Sequence, residues 1–421
     1  ESQIEAIIVD AAGQMRPDGR RVLVLIPDHT RSMPLPLFFR LLARHLRPRA
    51  RKLDFMVALG TPPPLSDDQL LRLVGLTAVE KATQYPDIEL LNHTWQDPAA
   101  LATLGALPET EIAALSGGRL RMAVPVRLNR RVLDYDQLLV CGPVFPHEVV
   151  GFSGGNKYFF PGIAGADIID FTHWLGALIT SYALIGTADT PVRAVIDRAA
   201  ALIPRERFAL CSVIAPGDDP SAPPVAGLFF ETPEAAWRQA AALSAQTHVR
   251  YVERPFRRVL SVLPEMYDEI WVGAKGMYKL EPVVADAGEV IIYAPHLREI
   301  SITHGARIRE VGYHVRDYFV KQWDRFKHVP WGVLAHSTHL RGIGTYDAET
   351  GVERPRIRVT LATGIPEDIC RAVNLSYRDP AGIDPARWQI EADPDTLVVP
   401  HAGEFLYRLR QPAHEEGRPT R

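Results

Sequence analysis

The sequence predicts an α/β fold made of two Rossmann-like α/β domains with mainly parallel sheets and an active site in the cleft between them. Three observations support this prediction. Apolar runs of strand length alternate with amphipathic helical segments, polar or turn-forming residues follow each apolar run, and 421 residues are enough for two domains. Right-handed crossovers between parallel strands then place the carboxyl ends of the strands at one edge of each sheet.

The N-terminal half contains four runs that predict strands, with helical segments between them. The predicted strands cover residues 21–26, 53–59, 88–91 and 137–144, and the predicted helices cover 36–46 and 66–74. Alternation of this kind is typical of a parallel sheet covered by helices on both faces. We expect residues 1–250 to form the first domain.

The C-terminal half repeats the alternation and predicts a second domain over residues 251–394. A helix over 233–245 and a link at 254–258 precede it, and its predicted elements are a strand over 259–263, a helix over 268–280, and strands over 289–293 and 356–362. Two such domains leave a cleft, which is a common place for a small-molecule site. We expect the second domain to contribute substrate contacts.

Polar side chains follow the strands of the first domain where each strand ends. Asp28 and Arg31 follow the first strand, His93 follows the third, and His147 and Lys157 follow the fourth. Because the carboxyl ends of parallel strands lie at one edge of a sheet, these side chains are expected to converge on one crevice. The sequence therefore predicts a binding site there.

The most informative stretch is PHEVVGFSGGNKYFFPG, residues 146–162. It places His147 behind a buried strand and Lys157 at the end of a tight turn. The turn consists of Ser153, Gly154 and Gly155. Small side chains let backbone N–H groups approach an anion or a flat ligand closely, so the turn is a candidate ligand cradle.

Composition excludes several classes of function. The formal net charge is −3 and no long basic stripe occurs, which argues against a nucleic-acid partner. The three cysteines, Cys141, Cys211 and Cys370, are far apart, so neither a disulfide framework nor a thiolate metal site is indicated. No signal peptide or apolar run of membrane length is evident, and we expect a cytoplasmic protein without a membrane partner.

From about residue 21 to about residue 403, the chain resembles the nickel-dependent lactate racemase family, most densely in PHEVVGFSGGNKYFFPGIAG at 146–165. The resemblance implies that His147 is a catalytic acid/base. It implies that Lys157 tethers or contacts a nickel pincer nucleotide, a cofactor made by other enzymes. His173, in the sequence FTHW, would complete the coordination of the metal.

Other positions match the family as well. His93, in NHTWQD, matches the second catalytic histidine, and the sequence DHTR at 28–31 matches the family's DxTR loop. Asp28 and Thr30 are therefore predicted to bind the cofactor together with the Ser-Gly-Gly turn. Arg31 offers a planar fork for a substrate carboxylate or phosphate. The resemblance also implies that the strand over 396–399 returns to the first domain, so that residues 395–421 would complete it.

Two imidazoles on opposite sides of one carbon suit the inversion of a 2-hydroxy acid. Proton abstraction beside a carboxylate is difficult because the resulting carbanion is very basic. Removal of hydride to a pyridinium avoids that carbanion, while one histidine takes the hydroxyl proton and the other later supplies a proton to the opposite face. His93 and His147 are the predicted pair, because an imidazole titrates near neutral pH.

The second domain departs from the lactate-handling members. Their Tyr-Gln-x-x-Lys pattern is replaced here by WVGAK, which keeps only Lys275 as a carboxylate contact, and GTPPP at 60–64 has prolines where the family usually has His and Arg. A polar group gathers instead at turn-like positions: His304, His314, His336, His339 and Arg341. We expect it to bind a larger, more polar substrate, such as a dicarboxylic or sugar-type acid. The alternative is a supporting or interface network.

Other interpretations remain open at this point. Asp28 could cap a helix, His93 could be structural, and His173 could be a core histidine bonded to a carbonyl. Two other functions are a zinc-dependent hydrolase or lyase that uses the same three histidines, and a cofactor-binding protein without racemase activity. Elemental analysis together with intact mass would separate these functions.

Overall fold

The computed structural model describes residues 1–217, 223–391 and 393–410. Its first sheet has six strands, in the spatial order Val225–Glu231, Glu206–Ile214, Gln137–Pro143, Arg21–Ile26, Lys52–Val57 and Leu90–Leu91. Every neighbouring pair is parallel except the edge pair Val225–Glu231 with Glu206–Ile214. The predicted α/β class with mainly parallel sheets is confirmed.

The first sheet is buried on both faces. In the strand Arg21–Ile26, Leu23 and Leu25 belong to one hydrophobic core, while Val22 and Val24 belong to the core on the opposite face. This alternation follows from the two-residue period of a strand. The helices of this half are Ser2–Met15, Leu35–Leu46, Asp67–Val74, Ala78–Gln84, Glu109–Leu115, Ala166–Ile179, Ser181–Leu184, Pro191–Ala200 and Pro233–His248.

The second sheet has five parallel strands, in the order Ser376–Tyr377, Arg358–Thr363, Val284–Ala294, Phe256–Val262 and Thr396–Val399. Its helices are Ile270–Gly273, Lys275–Tyr278, Gly305–Val311, Arg316–Val320, Trp323–Phe326, Trp331–Arg341, Glu367–Ala372 and Pro385–Glu391. Two-stranded pairs complete the fold: Leu101–Leu107 with Val124–Asn129, Pro146–His147 with Gly151–Phe152, Val249–Val252 with Leu406–Leu409, and Gly344–Asp347 with Val352–Pro355.

The helix predicted over 268–280 is instead two short helices, Ile270–Gly273 and Lys275–Tyr278. Close packing on the sheet explains the difference. A β-carbon at Gly276 would lie 2.4 Å from a methyl carbon of Leu263 and 2.5 Å from the hydroxyl of Ser261. The glycines let this segment approach the strand, and they also lower its helical propensity.

The prediction that the strand over 396–399 returns to the first domain is wrong. Thr396–Val399 pairs in parallel with Phe256–Val262 and forms an edge of the second sheet. Val398 packs against Leu260, and the strand's apolar residues thus join the second core. Only Leu406–Leu409 turns back, to pair with Val249–Val252. The remaining predicted residues, 411–421, lie outside the described part of the chain.

One helix joins the two halves. In Ala166–Ile179, Phe171 and Leu175 belong to the core of the first half, whereas Trp174 belongs to the core of the second. The Trp174 ring stacks on Trp323 with 5.2 Å between the ring centroids. The junction thus lies directly beside residue 173.

Candidate active site

A short antiparallel pair positions the His147 segment behind the central strand of the first sheet. Pro146–His147 pairs with Gly151–Phe152, and the Ser153 N–H then donates to the Phe145 carbonyl at 2.8 Å. The Ser153 hydroxyl accepts from the Phe145 N–H at 2.9 Å and donates to a backbone carbonyl. The turn is therefore closed by its own side chain, and this hydroxyl serves the backbone.

The two glycines of the turn are required by conformation and by protein packing. Gly154 has φ +84° and Gly155 has φ +56°, a region that favours glycine. A β-carbon at Gly154 would lie 2.5 Å from Val144, and one at Gly155 would lie 2.8 Å from Trp237. The expected ligand cradle is thus corrected in part: on the side where a β-carbon would point, these glycines meet protein.

A buried arginine holds the same turn from behind. The Arg193 guanidinium donates to the carbonyls of Phe152 and Gly154 and lies 4.1 Å from the Trp237 ring centroid. Burial lowers the pKa of Arg193 to about 10, so it keeps its charge at neutral pH. The turn that presents Lys157 is therefore anchored by a charged group and an aromatic ring.

A cavity of about 160 Å³ opens in front of this turn. It unites most of the predicted cofactor and metal residues with two of the predicted substrate residues: Asp28, Thr30, Arg31, His147, Ser153, Gly154, Lys157, His173 and Lys275. Both halves contribute, because Lys275 comes from the second. The prediction of one crevice at the strand ends agrees with this geometry for every first-half residue except His93.

The charged groups of the cavity shift each other's proton affinities. Burial tends to raise the pKa of Asp28, but Arg31 and hydrogen bonds from Thr30 hold it below its usual value. Asp28 thus closes its own loop, and the helix that follows begins only at residue 35. Burial, followed by the charge of Arg31, lowers the pKa of Lys157 to about 7 and lowers that of Lys275 well below its usual range.

His147 lies in the cavity wall as a neutral imidazole. Burial first, and then the charges of Lys157 and Arg31, hold its pKa well below the usual value. Its Nδ1 accepts from the Val149 N–H at 3.2 Å, which leaves the ring proton on Nε2. The Glu148 carboxylate lies 3.3 Å from the same Nδ1.

His173 keeps one ring nitrogen free toward the cavity. Its Nδ1 donates to the Ile169 carbonyl at 2.6 Å, one turn back in the same helix. Burial, which is its largest influence, lowers the pKa of His173, so Nε2 carries a free lone pair. Metal-bound histidines commonly donate their second ring N–H to a carbonyl in this way. The alternative interpretation of His173 as a core histidine bonded to a carbonyl accounts for its Nδ1 but not for its free Nε2.

His93 does not line the cavity. It is fully buried, its Nε2 bonds to the Ala164 carbonyl at 2.9 Å, and its Nδ1 meets the Asn129 amide at 3.2 Å. Both ring nitrogens are therefore engaged, and burial lowers its pKa to about 4. The expected pair of histidines around one substrate carbon is not formed in this structure.

Three predicted substrate histidines lie behind the far wall of the cavity. His336 stacks on Trp271 with 4.0 Å between ring centroids and bonds to its carbonyl, and His304 packs on the same indole at 4.4 Å. His339 is buried and borders a separate cavity of about 170 Å³ with Arg316. Trp271 itself faces the active cavity. His304 and His336 thus support an aromatic wall, and the prediction that the three histidines face the ligand is corrected.

His314 and Arg341 are farther from the cavity. His314 Nδ1 lies 2.8 Å from a carboxylate oxygen of Glu353, and Arg341 lies 3.7 Å from the other oxygen. His314 also stacks on Tyr318, and Arg341 donates to the Asn374 carbonyl. The side chains of His314 and Arg341 both interact with Glu353 in a structural network. Their predicted role in substrate binding is therefore corrected too.

Two findings concern the described part of the chain as a whole. No group of three or more His, Cys, Asp or Glu side chains there could hold a metal ion. No helix there is long and apolar enough to cross a membrane.

The comparisons with known proteins place the chain. Residues 5–185 match the family model described as the lactate racemase N-terminal domain. This range contains His93, His147, Lys157 and His173. A crystal structure of a protein from Thermotoga maritima is 34% identical and matches 96% of this chain and 98% of that one, with a TM-score of 0.88.

Over its N-terminal part the chain is similar to lactate racemases. It is 29% identical over 155 residues to a lactate racemase of Lactiplantibacillus plantarum and 26% identical over 175 residues to that of Thermoanaerobacterium thermosaccharolyticum. These matches cover 36% and 41% of this chain. The chain spans about a third of the length of these curated relatives.

The fold is that of a lactate racemase over nearly its whole length. The lactate racemase apoprotein from Thermoanaerobacterium thermosaccharolyticum superposes with a TM-score of 0.72, covering 97% of this chain and 93% of that chain at 19% identity. This family member therefore shares the two-part architecture, including the second half that the family model does not match.

Sequence reasoning missed several cavity residues, among them Glu148, Tyr158, Trp271 as an inward-facing group, and Tyr278. A signal existed for two of them. Glu148 directly follows His147, and Tyr278 lies three residues after Lys275, a spacing that puts both on one helical face. The inward direction of Trp271 depends on stacking partners distant in the chain, so no local pattern indicates it.

Proposed function

We propose that this chain is a racemase or epimerase of a 2-hydroxy acid larger or more polar than lactate, and that it uses a nickel pincer nucleotide. One observation carries the proposal. His147, Lys157 and His173 line the same cavity as the two cations Arg31 and Lys275. A carboxylate anchor, an acid/base group and two cofactor contacts are what such a reaction requires.

The residues present fit the cofactor. The neutral His173 offers Nε2 to a metal, and no further protein ligands are grouped around it in the described residues, so a metal there needs donors from the cofactor itself. Lys157, with a pKa of about 7, is partly an uncharged amine at neutral pH, the form that attacks a carbonyl or thiocarbonyl carbon. When bound, a nickel pincer nucleotide supplies a hydride acceptor. Asp28, Thr30, Ser153 and Gly154 border the same space, and Gly155 lies outside it.

The chain's own residues would orient the substrate and move its hydroxyl proton. Arg31 and Lys275 bind the carboxylate, which fixes the reacting carbon relative to His147. An imidazole with a low pKa is neutral. The ring proton of His147 is on Nε2, so Nε2 can accept the hydroxyl proton of the substrate only after that proton has moved to Nδ1 and the Val149 N–H has been released. The Glu148 carboxylate beside Nδ1 stabilises the imidazolium that this transfer produces. Enclosure between the two halves excludes water from the keto form of the substrate.

We keep His93 as the proposed second acid/base group, and one variant tests this role. To act, His93 must release Ala164 and Asn129. If it acts chemically, His93→Gln abolishes turnover in both directions with cofactor still bound. If it acts structurally, the same change lowers the unfolding free energy by about 1 to 3 kcal/mol, because buried groups lose their partners.

The cofactor assignment is tested by producing the protein with and without the enzymes that make the pincer nucleotide. Co-produced wild type should contain nickel and show added, sulfur-bearing mass, whereas protein produced alone should be inactive. Lys157→Ala and His173→Ala should lose nickel or added mass, and the exposed His328→Ala serves as control. Zinc without added mass would instead favour the hydrolase or lyase. Unchanged loading in both variants would overturn the assignment.

The reaction is tested with single enantiomers that carry deuterium at the reacting carbon. Product should retain the deuterium, while wash-out into solvent would indicate a carbanion route. Arg31→Ala and Lys275→Ala should lower kcat/KM by roughly 1.5 to 3 kcal/mol, the scale of a charge-assisted contact. If protein loaded with cofactor turns over no 2-hydroxy acid, the alternative of a cofactor-binding protein without racemase activity would be supported instead.

A further inference from the structure

Glu148 places a carboxylate in the cavity beside the acid/base residue. Its side chain is 19% exposed, although the chain around it is buried. Tyr278, from the second half, hydrogen-bonds to it, and His147 Nδ1 lies 3.3 Å from one of its oxygens. Glu148 thus lies in the cavity wall directly beside the proposed acid/base residue.

This carboxylate is ionised at neutral pH. Burial tends to raise the pKa of Glu148, but His339, the residue's own backbone amide and Arg31 hold it below its usual value. An ionised carboxylate accepts hydrogen bonds and donates none. Two oxygens offer about four lone-pair positions, and Tyr278 fills one of them, so acceptor capacity remains toward the cavity.

The charges that line the cavity suit one substrate carboxylate. The lining contains two carboxylates, Asp28 and Glu148, and one permanent cation, Arg31, while burial lowers the pKa of Lys157 to about 7 and that of Lys275 well below its usual range. The positive charge of the cavity is therefore too small to balance two substrate carboxylates. A second substrate carboxylate near Glu148 would also meet a like charge, which is unfavourable at short range.

We propose that Glu148 determines specificity by accepting hydrogen bonds from hydroxyl groups beyond the reacting carbon, so that the site selects a polyhydroxylated monocarboxylic acid. The inference rests on the proposed function and narrows its substrate class. An alkyl chain at this position would strip water from a carboxylate without offering a donor. A hydroxyl group offers the donor that Glu148 lacks.

Three six-carbon acids test the inference on the cofactor-loaded protein: an aldonic acid with five hydroxyl groups, 2-hydroxyhexanoate and 2-hydroxyadipate. In wild type, kcat/KM for the aldonic acid should exceed the others by roughly tenfold to a hundredfold, the scale of a hydrogen bond to a charged group. Glu148→Gln should reduce this preference at least tenfold, mainly through KM. Glu148→Leu should shift the preference toward 2-hydroxyhexanoate.

Glu265→Gln is the matched control, because it removes the same charge from a residue outside this cavity. It should leave the ratios unchanged. Glu148→Asp, which keeps the carboxylate, should retain the order of preference and guards against loss of folding in the other variants. A fall of kcat by the same factor for all three acids, with the ratios of kcat/KM unchanged, is what the contact of Glu148 with the His147 imidazolium alone predicts, and it would overturn the inference.

Failure of the inference and failure of the proposed function give different results. If wild type turns over 2-hydroxyhexanoate or 2-hydroxyadipate as well as the aldonic acid, or if Glu148→Gln keeps the same ratios, the inference is wrong while the racemase proposal stands. If loaded wild type turns over no 2-hydroxy acid, the proposed function fails, and the inference fails with it.

Discussion

The two walls of the cavity are supported in opposite ways. On the Lys157 wall, the reactive side chains face inward and a buried cation, Arg193, holds the backbone from behind. On the Trp271 wall, an aromatic ring faces inward and the polar rings of His304 and His336 lie behind it. This difference shows that polar residues near a site can lie behind its wall and hold it in place, while an apolar residue lines the cavity.

The largest expected effect comes from breaking the support of the Lys157 wall. Arg193→Ala removes two hydrogen bonds to buried carbonyls and a cation–π contact, so the unfolding free energy should fall by about 3 to 5 kcal/mol. Urea unfolding measures it. Arg198→Ala, half-exposed on the same helix, should cost less than about 1 kcal/mol. Equal effects would show that Arg193 does not anchor the turn.

A smaller effect is expected from the turn itself. Gly155→Ala meets both a positive φ and a β-carbon position 2.8 Å from Trp237, and should destabilise the protein by about 2 to 3 kcal/mol. Gly118→Ala is the control, because Gly118 has φ +77° with open space around it. It should cost about 1 kcal/mol from backbone strain alone. The difference between the two thermal unfolding curves isolates the packing contribution.

A buried arginine in the first half and a buried lysine in the second half differ in whether they stay charged at neutral pH. Burial, the largest influence, lowers the pKa of Lys279 to about 7, whereas Arg193 stays charged. Unfolded lysine titrates near 10.4, so the unfolded chain binds more protons between about pH 7 and 10, and stability rises with pH across that window. Lys279→Met should reduce the slope of this rise by about 1 kcal/mol per pH unit, and the exposed Lys327→Met should not. An unchanged slope for Lys279→Met would contradict the lowered pKa.

The smallest expected effect sharpens the role of the Trp271 wall. His336→Ala removes the ring stacked on Trp271 and should lower kcat/KM of loaded protein by about 1 kcal/mol, the scale of an aromatic pair. His314→Ala should leave kcat/KM within about twofold, because His314 serves Glu353. A large loss of turnover in His314→Ala would restore its predicted contact with substrate.

The predictable part of the site is the part with local causes. His147 and Lys157 follow from a strand, a turn and a spacing of ten residues, all visible in one stretch of sequence. The orientation of His93 depends instead on Ala164 and Asn129, 71 and 36 positions away. The sheet joined by Thr396–Val399 likewise depends on a partner strand about 140 residues earlier. Such long-range choices leave no mark in a local pattern of residues.

The helix Ala166–Ile179 is packed into the cores of both halves. His173 lines the cavity from this helix, while its neighbour Trp174 is packed in the core of the second half and stacked on Trp323. Phe171 and Leu175 fix the same helix in the first core. A change in the angle between the halves must therefore turn the helix or break the Trp174 stack, and a turn would re-aim the His173 imidazole. The orientation of His173 in the cavity is thereby tied to the arrangement of the two halves.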